Sequence, residues 1–203
     1  MPSNRISHQS KADSFFNLPN RVTFSRLMLI PLMVIAFYLP WDWSRWTAAF
    51  FFLVGGSTDW LDGYLARKLD MTTNFGAFLD PVADKLLVTV ALLLLVEAQA
   101  SVSVAIAAIL IISREITISA LREWMAQQGQ QAKVAVAYVG KVKTVVQIAA
   151  ITLMMGVPVS PPPVLAWLTH GLLWGAVVMT LYSMGLYLKS AWRVLTHNSK
   201  LNS

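Results

Sequence analysis

With 203 residues, 56% of them hydrophobic, only 13% charged and a mean hydropathy of +0.58, the chain is too apolar for a soluble domain, where about a quarter of residues carry charge. The absence of cysteine excludes disulfides, a thiolate nucleophile and Cys-ligated metals, and three scattered histidines (His8, His170, His197) argue against a His-rich metal centre. A net charge of +6 in such a chain points to membrane orientation and anionic lipid head groups rather than to nucleic acid.

Residues 1–13 are polar, and Ser14 to Arg21 (S-F-F-N-L-P-N-R) mixes aromatics, polar groups and a proline. Residues 1–21 therefore read as an N-terminal cytoplasmic or interfacial segment. No small-residue cleavage site follows the first apolar run, so a cleaved signal is not expected. Apolar runs cover 22–39, 46–68, 75–97, 102–121, 138–157 and 164–188, each near the roughly 20 residues that a membrane helix needs. Pro158 and Pro161 to Pro163 break the chain before the last run, and no internal repeat is visible. The reading is an all-α integral membrane protein, with six transmembrane helices in one domain over 22–203. With the N-terminus inside, every Lys and Arg except Arg45 falls on the inner side or at an inner helix end, which makes the topology N-in/C-in. Trp41, Trp43, Trp46 and Trp167 fall at outer boundaries and Trp124 and Trp192 near inner ones, as an aromatic belt does.

Four aspartates stand out within these runs: Asp59 and Asp62 in the second, Asp80 and Asp84 in the third. A charged side chain at bilayer depth costs about 2.5–3.5 kcal/mol on insertion scales, so function is the default reading. The i,i+3 and i,i+4 spacings put each pair on one helix face. A rise of about 1.5 Å per residue puts both pairs roughly 8–15 Å inside the cytoplasmic helix ends. A short link makes the two spans antiparallel neighbours, so the four carboxylates can converge. Converging carboxylates repel unless protonated or bound to cations. With no His or Cys nearby the ligand set is all oxygen, which suits Mg2+, Mn2+ or Ca2+. A pair of such ions, about 3.5–4 Å apart, clamps a phosphoryl group during in-line displacement. Gly63 and Gly76 allow a diphosphate close to the backbone, and Arg67 reaches a phosphate oxygen with its planar fork.

Plainer readings exist for single residues. Asp80 before Pro81 could be an N-cap with proline at the first helical position. Gly76 could serve packing, and Arg67 and Lys68 could be topology anchors. A cation or proton transporter also carries buried acids, but it has no need of the glycine and arginine frame.

The aspartate frame resembles the signature of the CDP-alcohol phosphatidyltransferase family, D-x-x-D-G-x-x-A-R-x8-G-x-x-x-D-x-x-x-D. It is met here by Asp59, Asp62, Gly63, Ala66, Arg67, Gly76, Asp80 and Asp84 without departure. The stretches N-L-P-N-R-V-T-F-S-R (17–26), S-R-E-I-T-I-S-A-L-R-E-W (113–124) and G-K-V-K-T (140–144) resemble the bacterial branch whose acceptor is sn-glycerol 3-phosphate; beyond about residue 150 the likeness is mainly in hydropathy. The resemblance implies a six-helix homodimer in the bacterial cytoplasmic membrane, multi-pass, with its active site facing the cytoplasm. CDP-diacylglycerol would be the donor, glycerol 3-phosphate the acceptor, and two divalent cations, Mg2+ or Mn2+, the cofactors. By the same resemblance Asp59, Asp62 and Asp80 hold the metals, and Asp84 is the general base and a further metal contact. Gly63, Arg67 and Gly76 would then face CDP-diacylglycerol. A dianionic acceptor needs cations, and Arg114, Arg122, Lys141 and Lys143 stand at the cytoplasmic ends of spans four and five, with Thr23 and Arg26 on span one as further candidates. The plain alternatives are an Arg114–Glu115 structural ion pair and, for Thr23 and Arg26, a helix start and a topology charge. Within the family another acceptor, inositol phosphate or serine, is the runner-up. A metal-dependent lipid hydrolase would need an exposed water in place of the acceptor pocket.

Overall fold

All regular structure among the described residues is α-helical. The computed structural model describes the backbone of residues 18–69, 74–127, 134–158 and 161–199 and, within these, the side chains of 24–57, 82–127, 140, 142–158, 161–189 and 191–192. The helices are α1 (Leu18–Tyr38), α2 (Ser44–Leu69), α3 (Asn74–Gln99), α4 (Val102–Gln127), α5 (Val134–Gly156) and α6 (Pro163–Ser199). Each coincides with one predicted apolar run and outlasts it at one end or both. Hydropathy falls where polar residues begin, but polar residues such as Arg122 and Gln127 are good helix formers and carry the backbone on.

The helix ends follow local chemistry. Ser101 accepts the first bond of α4 through its carbonyl, from the Ala105 N–H at 3.0 Å, as an N-cap serine does. The Pro162 carbonyl receives the N–H groups of Leu165 and Ala166, with Pro163 opening α6 where a missing N–H costs nothing. Ala100, after the end of α3, has φ 44°, a left-handed conformation that suits glycine better. Helix α3 begins at Asn74, so Asp80 lies inside it and does not start a helix at Pro81.

Two stretches, Val102–Gln127 and Pro163–Lys189, are long and apolar enough to cross a bilayer; Phe24–Tyr38 and Val142–Gly156 are shorter apolar stretches of the described residues. Only 33% and 28% of the two long apolar windows are buried within the chain. Ile109, Ile116, Val178, Leu181, Tyr182 and Trp192 face outward. Water would penalise so much apolar surface, whereas lipid solvates it.

The chain forms two compact units, Met1–Ala91 and Leu92–Ser203, whose boundary falls inside α3. In the first, Arg45 at the start of α2 lies over the Phe37 ring near the end of α1, 4.9 Å from its centroid, so α1 and α2 form a hairpin. Further along, Gly55 of α2 is buried against α3 and α1: a Cβ there would meet Leu87 at 2.8 Å and Leu29 at 3.7 Å. In the second unit α4 and α6 touch at two levels. The Trp174 indole donates to the Ser103 hydroxyl at 2.9 Å, and Arg114 donates to the Ser183 hydroxyl at 2.6 Å. Contacts that advance together along both helices make α4 and α6 parallel.

Candidate active site

In the first unit the described chemistry centres on Asp84. Nη1 of Arg26, from α1, donates to its Oδ1 at 2.6 Å. The Arg26 side chain is 1% exposed and that of Asp84 37% exposed. The guanidinium is thus buried while the carboxylate keeps an accessible side. A buried arginine needs an anion, and the Asp84 carboxylate supplies it. Arg26 was expected as a candidate for the acceptor's phosphate; the structure joins it to Asp84.

The helix backbones extend this. Arg26 meets Asp84, and three residues on along each helix Leu29 and Leu87 both flank Gly55. Helices α1 and α3 therefore run in the same direction in this unit, with α2 against them. The side chains of Asp59, Asp62, Gly63, Arg67, Gly76 and Asp80 lie outside the described residues, as do those of Thr23 and Lys141. Among the described residues no group of three or more His, Cys, Asp and Glu forms a metal site.

The second unit holds a buried cationic centre. Arg114 on α4 is 6% exposed and Lys143 on α5 3% exposed. Both use one carboxylate oxygen of Glu115: Arg114 Nη1 donates to Oε1 at 3.2 Å, and Lys143 Nζ donates to the same atom. Arg114 Nη2 donates to Ser183 Oγ on α6, and the guanidinium lies 6.0 Å from the Tyr187 ring centroid. Two buried cations share one partly exposed anion, so among the described residues the centre keeps a net positive charge with an accessible side at Glu115. Repulsion between Arg114 and Lys143 is relieved by the carboxylate between them. Such a centre suits an anion that brings its own oxygens. The Arg114–Glu115 ion pair is real, but Lys143 joins it, so a simple structural pair does not describe it. Arg122, two turns past Arg114, is exposed and enters none of its described contacts. Glu115, Ser183 and Tyr187 were not singled out in the sequence as site residues. Glu115 could have been, since its neighbour Arg114 sits in an apolar run; a serine in α6 carries no such signal.

Comparison with known proteins agrees with the resemblance. The family model described as CDP-alcohol phosphatidyltransferase matches residues 16–182. Curated proteins named CDP-diacylglycerol--glycerol-3-phosphate 3-phosphatidyltransferase, from Escherichia coli (strain K12) and Yersinia pestis (strain Pestoides F), are each 46% identical, over 179 and 176 residues. The match covers 87% of this chain and 95% of theirs. The protein of the same name from Shigella flexneri serotype 5b is similar to the same extent.

Proposed function

The chain belongs to the CDP-alcohol phosphatidyltransferase family, and from that premise we propose how its residues work. It is an enzyme that transfers the phosphatidyl group of CDP-diacylglycerol to sn-glycerol 3-phosphate, releasing phosphatidylglycerophosphate and CMP. The observation that carries this reading is 46% identity spanning 95% of relatives named for that reaction. It is a bacterial membrane protein with membrane-spanning helices.

Our reading is of one six-helix domain over 22–203, N-in/C-in, with its active site toward the cytoplasm of the bacterial inner membrane, and working as a homodimer. The side on which Lys and Arg gather supports this orientation. Asp59, Asp62 and Asp80, with Asp84, would hold two divalent cations, Mg2+ or Mn2+. The donor set fits hard cations: Asp59 and Asp62 of α2 with Asp80 and Asp84 of α3 offer oxygen alone, and neither helix contains a sulfur or an imidazole. When bound, the cations neutralise the diphosphate and support departure of CMP.

Asp84 acts as the general base. It takes the proton of the acceptor's 1-hydroxyl as that oxygen forms a bond to the β-phosphorus of CDP-diacylglycerol and the bond from that phosphorus to the CMP oxygen breaks. Arg26 fixes the orientation of the carboxylate. Gly63 and Gly76 let the diphosphate approach the backbone, and Arg67 faces a phosphate oxygen. Arg114 and Lys143 receive the dianionic acceptor, with Lys141, Arg122 and Thr23 as outer contributors. A serine acceptor carries no phosphate and would leave this cationic centre without a use.

The test is an acceptor panel. Purified protein in detergent receives CDP-diacylglycerol, Mg2+ or Mn2+, and in turn glycerol 3-phosphate, inositol phosphate, serine and water. CMP release with glycerol 3-phosphate alone is expected, and its loss on chelation is expected to reverse when the cation is restored. Release with a different acceptor would keep the family and overturn the acceptor.

A further inference from the structure

We propose that Ser183 of α6 is a positioning residue for the acceptor's phosphate: it sets the guanidinium of Arg114 by hydrogen bonding. This rests on the reading of Arg114 as part of the acceptor site. Ser183 is 0% exposed, and it is the polar partner that α6 gives to the cationic centre among the described contacts. It lies one residue past the stretch matched by the family model, which ends at residue 182.

The geometry assigns the role. A guanidinium on a long side chain needs two anchors from different directions before its fork has one orientation. Glu115 is one anchor, but it neighbours Arg114 in sequence, where helical side chains diverge, and its contact is the longer one at 3.2 Å. Its carboxylate is also shared with Lys143, so a movement of the lysine moves the anchor. Ser183 comes from a separate helix and makes the shorter contact, 2.6 Å, at the other terminal nitrogen. Nη1 on Glu115 and Nη2 on Ser183 together define the plane of the guanidinium. Nε of Arg114 is buried and makes no hydrogen bond to any described residue. The fork therefore retains donors for an incoming oxyanion while its direction is held by uncharged and charged partners in concert. An uncharged hydroxyl is the right second anchor: a second carboxylate would cancel the positive charge that the acceptor requires.

The residue should act on acceptor binding and act through Arg114. Removing the hydroxyl with Ser183→Ala is expected to raise KM for glycerol 3-phosphate about tenfold or more, the effect of a lost hydrogen bond to a charged group. KM for CDP-diacylglycerol should stay within about twofold, since none of the donor's proposed contacts is touched. Ser183→Thr, which restores a hydroxyl, should recover acceptor KM. In an Arg114→Lys background, which loses the fork, Ser183→Ala should add little further. Thermal unfolding in detergent is followed for each variant, because a merely structural serine would lower the melting temperature and move both KM values together. If Arg114→Lys raises acceptor KM but Ser183→Ala does not, the positioning role is overturned and the acceptor site stands. An Arg114→Lys variant with wild-type acceptor KM would overturn the acceptor reading and the Ser183 role with it.

Discussion

The Arg26–Asp84 pair carries the sharpest residue-scale consequences. If Asp84 is the base, Asp84→Asn removes the proton acceptor while preserving shape. Turnover should fall by about 10²- to 10⁴-fold, the usual contribution of general base catalysis. Retention of much of the metal-dependent binding of CDP-diacylglycerol, measured by equilibrium titration, is expected, because other aspartates remain. Near-normal CMP release from that variant would end the assignment. Arg26→Ala leaves Asp84 without its arginine. Because Asp84 is 37% exposed, the stability loss should be about 1–3 kcal/mol, below the 3–5 kcal/mol typical of breaking a fully buried pair. The loss in kcal/mol is measured by denaturant unfolding in detergent, and kcat by CMP release. Arg26→Lys keeps the charge but not the fork, so it should recover more of the stability than of the rate. A phosphate-binding role would instead raise acceptor KM with little change in kcat.

Helix ends and close approaches matter at the scale of elements. Ala100 holds φ 44° where α3 gives way to α4. A left-handed residue other than glycine costs about 1–2 kcal/mol, and the extra freedom that glycine gives the unfolded chain offsets part of this. Ala100→Gly should therefore stabilise by about 0.5–1 kcal/mol and raise the melting temperature without changing activity. Gly55 is the opposite case. A methyl group there meets the flexible end of Leu87, which can yield, but Leu87 is itself 1% exposed. A bulkier side chain has no space. Gly55→Leu should push α2 from α3, one turn before Asp59, and lower turnover more than Gly55→Ala does. Equal activities for the two variants would show that this approach does not set the spacing of the aspartate helices.

The whole molecule carries orientation. The native chain has no cysteine, so single cysteines report topology without background. Asp42→Cys, between α1 and α2, should react from outside intact spheroplasts with a membrane-impermeant thiol reagent. Gln130→Cys, between α4 and α5, should react only after lysis. The reverse pattern would invert the topology and place the aspartates at the wrong face for cytoplasmic glycerol 3-phosphate. The last helix outruns its apolar part. At about 1.5 Å per residue, the 37 residues of α6 span roughly 55 Å, more than the 27 residues of its apolar part need to cross a bilayer.

The order of six helices was legible in the sequence because hydropathy is a local property and a bilayer demands about 20 apolar residues per crossing. The aspartate frame was legible for the same reason. Its spacing is periodic within two adjacent helices, and carboxylates stand out against apolar neighbours. What the tertiary structure decided is which distant residues meet. Arg26 and Asp84 are 58 positions apart, and Arg114 and Ser183 are 69 apart. No periodicity links such pairs; they arise from which helices pack together and at what register. The sequence thus determined the family, the reaction and the candidate carboxylates. The folded chain determined that Arg26 pairs with Asp84 and that Glu115 is shared between two cations. It also brought a serine without sequence signal to Arg114, because only packing sets the direction of a side chain across a helix interface.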